Sequence, residues 1–540
     1  MANIFKSPCD EAIVLAGPKV APCSPTLGRW VLTATILGSS MAFIDGTVVN
    51  VALPILQADL GATSTQTQWV VQSYALFLAA LILVGGSLGD RLGRKRVFLS
   101  GIAIYAAASI WCGLVPDIQQ LILAQAVKGV GGALLVPGSL AIISATFSEA
   151  QRGRAIGTWS GFTAITAALG PVLGGWLAET ISWRAVFFIN LPLAAVVLVL
   201  TLWRVPESRD DEVADTPLDW GGAVLVALGM GGIIYGLTGA ARLGLLHPQV
   251  IAPVVFGVLM LLVFTWLEAR LAAPMMPLGL FRSLTFSGAN LLTLLLYSAL
   301  GGALFFFPFN LIQVQGYSPT AAGAALLPFI LVMFLLSRWS GSLVERYGAR
   351  RPLILGPVVV AVGFALFAVP GIGGTYWTTF FPAVLGVGLG MALSVAPLTT
   401  TVMNSVATHQ AGVASGINNA VSRVAGLLGV AVMAILIFWV FDQVLTERLG
   451  RLDLPAGIQQ AMNEQKVNLA AAQIPPEAGP DLRAALEQAV KEAYVAGFRG
   501  VMLAAAGLAL TSAIIAWAMI AGKEVVNPSG AWVVDDLPAD

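Results

Sequence analysis

The sequence predicts an all-α, polytopic membrane protein with fourteen transmembrane helices, and three observations support this fold class. First, 57% of the 540 residues are hydrophobic and only 10% are charged, with a mean hydropathy of +0.85. So little polar surface cannot cover a water-soluble globule. Second, apolar segments of bilayer-spanning length recur along the chain. Third, one polar motif occurs twice and divides the chain into two similar halves.

The predicted spans follow from the thickness of a bilayer. A spanning helix needs about 20 mainly apolar residues, because the hydrocarbon core is roughly 30 Å thick and each helical residue rises about 1.5 Å. The N-terminal residues do not form a signal peptide, so we expect the first span to be retained as an anchor. The segments that satisfy the rule are residues 30–55, 66–88, 97–115, 119–146, 155–178, 185–203, 218–240, 249–268, 284–311, 319–343, 352–370, 376–403, 412–441 and 497–521.

Basic residues in the short loops predict the orientation of these spans. Most lysines and arginines outside the spans follow even-numbered spans, beginning with Arg91, Arg94, Lys95 and Arg96. Because basic residues concentrate in cytoplasmic loops, we expect both termini in the cytoplasm and the long segment 442–496 outside. Within that segment, Asp481–Glu492 has helical spacing, which predicts an amphipathic helix on the membrane surface.

The repeated motif predicts the internal organisation. The sequence GSLGDRLGRKR begins at Gly86 after the second span, and GSLVERYGARR begins at Gly341 after the tenth. Each half therefore has six helices, and the seventh and eighth spans are an insertion. The predicted domains are a cytoplasmic tail at 1–29, a six-helix bundle at 30–203, a linker with two extra helices at 204–283, a second six-helix bundle at 284–521 that includes the loop 442–496, and a cytoplasmic tail at 522–540.

The first copy of the motif carries a family resemblance. Gly86–Lys95 resembles the cytoplasmic G-x-L-x-D-R-x-G-R-K signature of the major facilitator superfamily. Its glycines allow a tight turn and close helix approach, and its acidic and basic groups can form charge-assisted hydrogen bonds. A simple positive cluster would not require glycine and aspartate here. We interpret the two copies as a conformational latch formed by Gly86, Asp90, Arg91, Gly93, Arg94, Glu345 and Arg346.

Other segments resemble signatures of the fourteen-helix drug:proton antiporter branch of this superfamily. One is Phe43–Pro54 in the first span, and the other is Trp183–Arg184 together with Phe188–Pro192, before and within the sixth span. Ala168–Gly175 in the fifth span is similar to the motif that marks antiporters. Its glycines favour close helix packing and its proline bends the helix, although ordinary glycine packing is an alternative. We call this segment the antiporter motif, and the residues that carry the resemblance are Gly170, Pro171, Gly174 and Gly175.

Asp45 is the first candidate for proton coupling. A carboxylate inside a span costs about 2.5–3.5 kcal/mol on insertion scales, so a functional role is expected. Desolvation disfavours the charged form, so a proton and a cationic substrate become alternative partners. A structural role, with Asp45 bonded to Thr47 or Asn50, is the other interpretation.

The fourth span departs from the pattern of the branch. Where the branch usually has an arginine and, three residues later, a glutamine, this chain has Gln125 and Lys128. The two positions share one helix face, so we interpret the basic charge as relocated. We expect Lys128 in the cavity of the N-terminal half, within reach of Asp45. A snorkelling or structurally paired amine is the alternative.

Polar and aromatic residues on the remaining spans are candidates for substrate contacts. Most aromatic residues in such helices pack or anchor at the interface, so none of these is decisive. Arg423 is the other charged residue deep in a span, and it either offers a cation to the cavity or forms hydrogen bonds to helix ends. The candidates are Asn50, Trp69, Gln72, Tyr74, Trp159, Tyr297, Asn310, Gln313, Asn418, Asn419 and Arg423.

The expected function is proton-coupled export of lipophilic drugs or toxic small molecules across the bacterial cytoplasmic membrane by alternating access. A dedicated transporter of one lipid, siderophore or amino acid is the alternative, and Gln125 leaves a non-transporting receptor or scaffold open. The sequence has no phosphate-binding loop and no metal motif, so we expect no enzyme activity, no metal and no cofactor beyond the proton gradient. Expected partners are substrate, protons and membrane lipid, without nucleic acid because the net charge is zero. We expect a monomer, and a periplasmic adaptor protein remains an open partner.

Overall fold

A computed structural model describes residues 25–147, 149–209, 219–271, 274, 276–406, 411–452 and 454–521. In this part of the chain the regular elements are helical. Two segments, Leu278–Arg282 and Lys466–Ala471, are 3-10 helices, and Asn310–Val314 is a π-helix. The α-helices are α1 (Pro25–Asp59), α2 (Ser64–Leu92), α3 (Arg94–Leu114), α4 (Ile118–Thr146), α5 (Glu149–Thr180), α6 (Ala185–Phe188), α7 (Asn190–Arg204), α8 (Trp220–Leu243), α9 (Pro248–Glu268), α10 (Leu284–Phe309), α11 (Pro319–Ala324), α12 (Leu327–Tyr347), α13 (Arg350–Phe367), α14 (Tyr376–Thr379), α15 (Phe381–Asn404), α16 (Ala411–Gly450), α17 (Ala456–Gln465) and α18 (Pro480–Met519).

The helices agree with the predicted spans. Among the described residues, twelve helical segments are long and apolar enough to cross a membrane. The other two predicted spans, 66–88 and 155–178, fall on the long helices α2 and α5. The all-α polytopic fold class is therefore confirmed, and the predicted count of fourteen spans is compatible with the structure. Most of the predicted N-terminal tail and all of the C-terminal tail at 522–540 lie outside the described residues.

The segment before the last span differs from its prediction. Asp481–Glu492 is helical, but it is not a separate helix on the membrane surface. It forms the first turns of α18, which continues without a break to Met519. The apolar face of these turns, including Leu486 and Val490, is buried in the protein, and Glu492 pairs with Arg448 of α16 at 3.0 Å. The amphipathic pattern was correct, but its apolar face contacts protein and not lipid.

The chain divides into two compact units. The first consists of Met1–Met275, Pro308–Leu327 and Leu454–Arg483, and the second of Met276–Phe307, Pro328–Asp453 and Ala484–Asp540. In the first unit, α4 packs along α2 and α3, and α1 packs along α5. In the second unit, α13 packs along α15. The sequence-based domain boundaries rest on the internal repeat and stay predictions.

Helices α8 and α9, which the sequence repeat predicts to be an insertion, form a hairpin in the first unit. Gly232 of α8 packs so closely on α9 that a Cβ atom there would lie 2.7 Å from the Pro253 carbonyl oxygen. The hairpin also packs against α2. Helices α8 and α9 are thus joined through small residues, as is typical of helix pairs in membranes.

Candidate functional site

A buried ion pair lies inside the helix bundle of the first unit. The Lys128 ammonium nitrogen on α4 contacts Asp45 Oδ1 on α1, and their side chains are 0% and 1% exposed. The sequence predicted this proximity, and the contact confirms it. The structure differs in one respect, because Lys128 is enclosed by the bundle and does not line an open cavity. Such enclosure makes each charge dependent on its partner, since removing one leaves the other buried and uncompensated.

Two aromatic rings cover the amine of Lys128. Its nitrogen lies 5.2 Å from the ring centroid of Tyr105 on α3 and 4.9 Å from that of Phe187 on α6. Aromatic faces attract a cation at these distances and so replace part of its lost hydration. The Tyr105 hydroxyl donates a hydrogen bond to the Met41 carbonyl oxygen at 3.3 Å, which ties α3 to α1. The lysine is thus held by charge, by aromatic faces and by packing.

Asn190 is a third polar residue at the pair. Its Nδ2 donates a hydrogen bond to Asp45 Oδ1 at 3.2 Å, and the residue is fully buried. The helix interruption between α6 and α7 brings both Phe187 and Asn190 to the pair. Our sequence analysis did not identify Asn190 or Tyr105 as site residues. For Asn190 the available signal was its place in the Phe188–Pro192 segment, whereas Tyr105 carried none.

Close helix packing brings these side chains together. A Cβ atom at Gly131 of α4 would lie 2.7 Å from the Tyr105 backbone nitrogen on α3. On the other side of α4, a Cβ atom at Gly129 would lie 2.4 Å from the Tyr74 carbonyl oxygen on α2. Only glycine permits these approaches. The run Lys128–Gly132 therefore places a lysine directly beside two close contacts that α4 makes with its neighbours.

Gln125, the second predicted residue of the fourth span, is also buried in α4. It is 1% exposed and lies three residues before Lys128, on the same side of the helix. Its Oε1 has no hydrogen-bond partner in the described part of the protein. Of these two residues, Lys128 is the one that contacts Asp45 in the described structure.

The antiporter motif packs on α1 beside Asp45. A Cβ atom at Gly170 would lie 1.9 Å from Thr47 Oγ1, and one at Gly174 would lie 2.5 Å from the Val48 carbonyl oxygen. Thr47 itself donates to the Ile44 carbonyl at 2.9 Å and is therefore not a partner that replaces Lys128. The motif fixes the distance between α5 and the turn of α1 that carries Asp45.

The same motif also contacts α11. A Cβ atom at Gly175 would lie 2.2 Å from the Pro319 carbonyl oxygen, and one at Gly323 would lie 2.0 Å from that of Pro171. Near the end of α5, Glu179 accepts hydrogen bonds from the Thr320 backbone nitrogen at 3.1 Å and from its hydroxyl at 2.5 Å. These bonds lower the pKa of the Glu179 carboxyl. The ends of α5 and α11 therefore interlock.

The predicted latch is more helical than expected. Gly86–Leu92 is the end of α2, Arg94 begins α3, and Gly93 alone connects them with a φ of 107°. Gly348, in the second copy, also has a positive φ of 75°. Positive φ at both positions explains why the repeat has glycine there. The side chains of Asp90 and Glu345 lie outside the described part, and Arg346 is exposed.

Glu207, after α7, contacts the first latch copy. Its Oε1 accepts a hydrogen bond from the Lys95 backbone nitrogen at 3.0 Å, and its carboxylate lies 3.6 Å from the Arg96 side chain. A Cβ atom at Gly93 would lie 2.6 Å from Glu207 Oε1. Arg94 also donates its backbone N–H to the Ser208 carbonyl at 2.8 Å. Sequence analysis missed Glu207, whose only signal was an acid in a basic loop.

Several predicted cavity residues contact other helices. Trp69 and Gln72 on α2 contact the inserted helix α8, through the ring of Tyr235 at 6.3 Å and the Thr238 hydroxyl at 3.4 Å. Both were predicted to face substrate. Their positions follow from the packing of the inserted hairpin on α2, which a span count does not reveal.

Other cavity candidates have protein partners. Trp159 donates to Ser39, Gln313 to Gln57, Asn50 to the Gly46 carbonyl, and Asn418 to Asn290 and Thr293. Asn310 accepts from Gln315, and the Tyr74 ring packs edge-on against Tyr105. Tyr297 lies on α10, and Asn419 and Arg423 lie on α16. No substrate-binding arrangement follows from these contacts, so a role in substrate binding stays a prediction for all of them.

Comparison with known proteins supplies the family context. The family model of the Major Facilitator Superfamily matches residues 35–430. The chain is 35% identical over 413 residues to the multidrug resistance protein Stp of Mycobacterium tuberculosis (strain CDC 1551 / Oshkosh), covering 76% of each protein. It is 31% identical to the tetracenomycin C resistance and export protein of Streptomyces glaucescens, covering 93% of this chain and 94% of that protein. It is 32% identical to the multidrug efflux pump LfrA of Mycolicibacterium smegmatis, covering 93% and 96%.

Solved structures agree on the fold. The chain is similar to a bacterial homolog of the human lysosomal transporter Spinster in an inward-facing and unoccupied conformation. The TM-score is 0.62 at 19% identity, and the match covers 92% of this chain and 99% of that one. At this identity the similarity concerns the fold alone.

Proposed function

The chain belongs to the Major Facilitator Superfamily, and from this premise we propose that it exports lipophilic drugs or other toxic small molecules in exchange for protons. The relatives support the export half of this proposal. Proteins named for multidrug efflux and for tetracenomycin C resistance and export match it over more than nine tenths of their length. The proton half rests on the buried ion pair.

The Asp45–Lys128 pair is the observation that carries the coupling. A proton on Asp45 cancels its charge and removes the attraction that holds Lys128. An uncompensated buried cation favours another packing of α1 against α4, so protonation can bias an equilibrium between two conformations. Coupling free energies of this kind are typically about 1–3 kcal/mol, which one buried charge pair can supply.

The remaining parts of the proposal concern setting and partners. We propose that the chain works in the bacterial cytoplasmic membrane as a monomer, with both termini in the cytoplasm. The proton gradient is the only energy source that the mechanism requires, so no cofactor takes part. The proposal does not depend on a periplasmic adaptor protein.

The test is proton-coupled efflux in inverted vesicles from an efflux-deficient host. With a pH gradient established by respiration, adding a substrate should partly collapse the gradient, and a broad panel of lipophilic drugs should include several such compounds. We predict that Asp45→Asn abolishes this response while expression and membrane insertion stay normal, because asparagine cannot take up a proton. A response to one metabolite only would indicate a dedicated transporter. An undiminished response by Asp45→Asn would refute the role of Asp45.

A further inference from the structure

Three buried polar atoms near the ion pair have no protein partner. They are Asn190 Oδ1, Ser109 Oγ and Gln125 Oε1, and in the described part of the chain none of them makes a hydrogen bond. The residues are 0%, 0% and 1% exposed. An unpaired buried polar group costs about 1–3 kcal/mol, so folded proteins almost always supply a partner. Ordered water is the usual one when protein groups are absent.

The helix geometry places these atoms beside Asp45 and Lys128. Asn190 contacts Asp45 directly. Ser109 lies one turn after Tyr105 on α3, and Gln125 lies one turn before Lys128 on α4. Helices α3 and α4 are antiparallel. One turn toward the C-terminus of α3 therefore lies at the same height in the bundle as one turn toward the N-terminus of α4.

Close contacts fix this register between α3 and α4. A Cβ atom at Gly131 would lie 2.7 Å from the Tyr105 nitrogen, and one at Gly101 would lie 2.9 Å from the Leu135 nitrogen. Extending the same pairing by one turn beyond Tyr105 brings Ser109 close to the level of Gln125. Both polar groups therefore lie within about one helical turn of the ion pair, on the buried side of their helices.

We propose that Asn190 positions the Asp45 carboxylate, and that Asn190, Ser109 and Gln125 hold ordered water through which Asp45 gains and loses its proton. This inference deepens the proposed function and rests on it. The amide oxygens accept hydrogen bonds from the water, and the serine hydroxyl can donate or accept. Lys128 and Asn190 both contact Oδ1, so Oδ2 takes the proton. In the uptake step an O–H bond of a protonated water breaks as one forms at Oδ2, and the reverse step releases the proton.

Asp45 is the group at this site whose charge changes. The other titratable groups around it are Lys128 from α4, Tyr105 and Cys112 from α3, and Tyr74 from α2. Lysine, tyrosine and cysteine are ordinarily protonated at neutral pH, so they do not compete for an incoming proton. Asn190, from α7, does not titrate. Among the described residues around the pair, the Asp45 carboxylate is thus the group to which water must deliver the proton.

Infrared spectroscopy of the full-length protein in lipid vesicles tests the proposal. The infrared band of the protonated Asp45 carboxyl group is the band that Asp45→Asn removes. The protein is then transferred into heavy water, and the shift of this band with time gives the hydrogen–deuterium exchange rate of the Asp45 carboxyl group. We expect Ser109→Ala, Gln125→Leu and Asn190→Ala each to slow this exchange about tenfold, as loss of one water hydrogen bond would. Ser109→Thr keeps the hydroxyl and should exchange at the native rate.

Thr201→Val is the matched control. Thr201 lies on α7, as Asn190 does, and is also buried with an unpartnered hydroxyl in the described structure, but it is three turns away. It should leave the exchange rate unchanged. Native exchange in Ser109→Ala and Asn190→Ala would overturn the proposal, and so would equal slowing in Thr201→Val or Ser109→Thr. Either of these two results overturns only the water site. The proposed function still stands if Asp45→Asn abolishes proton-coupled efflux.

Discussion

Single charged residues were the most predictable part of the site. Asp45 and Lys128 are rare residues for membrane spans, and the high cost of an unpaired charge there implies that each needs a partner. Asn190, Tyr105 and Ser109 were not predictable in the same way. Neutral polar and aromatic residues are common in such helices, and their partners depend on how each helix is rotated. Sequence alone does not specify that rotation.

At the same scale, Lys128→Gln should change the pH dependence of efflux and not merely its rate. The substitution removes the charge that contacts Asp45, so the pH dependence of efflux should shift. Gln125→Ala should have a milder effect, because the hydrogen bonds to Asp45 in the described structure come from Lys128 and Asn190. The double variant Gln125→Arg with Lys128→Gln restores the arginine and glutamine that the antiporter branch usually has at these positions. It should recover part of the activity.

The measurement is the rate of drug efflux in vesicles across a pH series for these three variants. Protein amounts in the membrane serve as the control for folding. An unchanged profile and rate in Lys128→Gln would show that the amine only fills space between Tyr105 and Phe187.

At the scale of helices, hydrophobicity predicted where the chain crosses the membrane, but not what each helix face contacts. Trp69 and Gln72 are equally compatible with a cavity and with a neighbouring helix, and the inserted helix α8 occupies that position. Likewise, the amphipathic turns at the start of α18 fit a lipid surface or a protein surface. Periodicity identifies a buried face without identifying the neighbour that buries it.

The contact of Glu207 with the start of α3 predicts how the connection between α2 and α3 is stabilised. Glu207 accepts a hydrogen bond from the first turn of α3, where a negative charge also complements the helix dipole. Glu207→Ala should therefore loosen the latch copy at Gly93 and slow transport, while substrate affinity stays near native. Ser208→Ala is the control, because Ser208 contributes only its backbone carbonyl to Arg94.

Efflux kinetics over a range of substrate concentrations separate these effects. A lower maximal rate with a native half-saturating concentration in Glu207→Ala is the expected result. Weaker apparent substrate binding at a native maximal rate would contradict it, and so would an equal loss in Ser208→Ala.

For the whole molecule, alternating access requires that contacts between helix ends form in one state and break in another. We expect the interlock of α5 with α11 to be such a contact, because Gly175 and Gly323 each pack on a backbone carbonyl of the other helix and Glu179 accepts hydrogen bonds from Thr320. Sequence analysis identified the glycines of α5 but not their partner. The partner lies more than a hundred residues away and has no matching motif.

Gly175→Ala should shift the molecule away from the state in which α5 and α11 touch. The new methyl group would lie 2.2 Å from the Pro319 carbonyl oxygen, a backbone atom that cannot move aside cheaply. We expect slower efflux and less cross-linking between cysteines placed at Glu179 and Thr320, measured with a short bifunctional thiol reagent after Cys9, Cys23 and Cys112 are replaced. Gly507→Ala is the matched control, since a Cβ atom at that helical glycine meets no atom within 4 Å. Native cross-linking in Gly175→Ala would show that the contact tolerates a methyl group and does not discriminate between states.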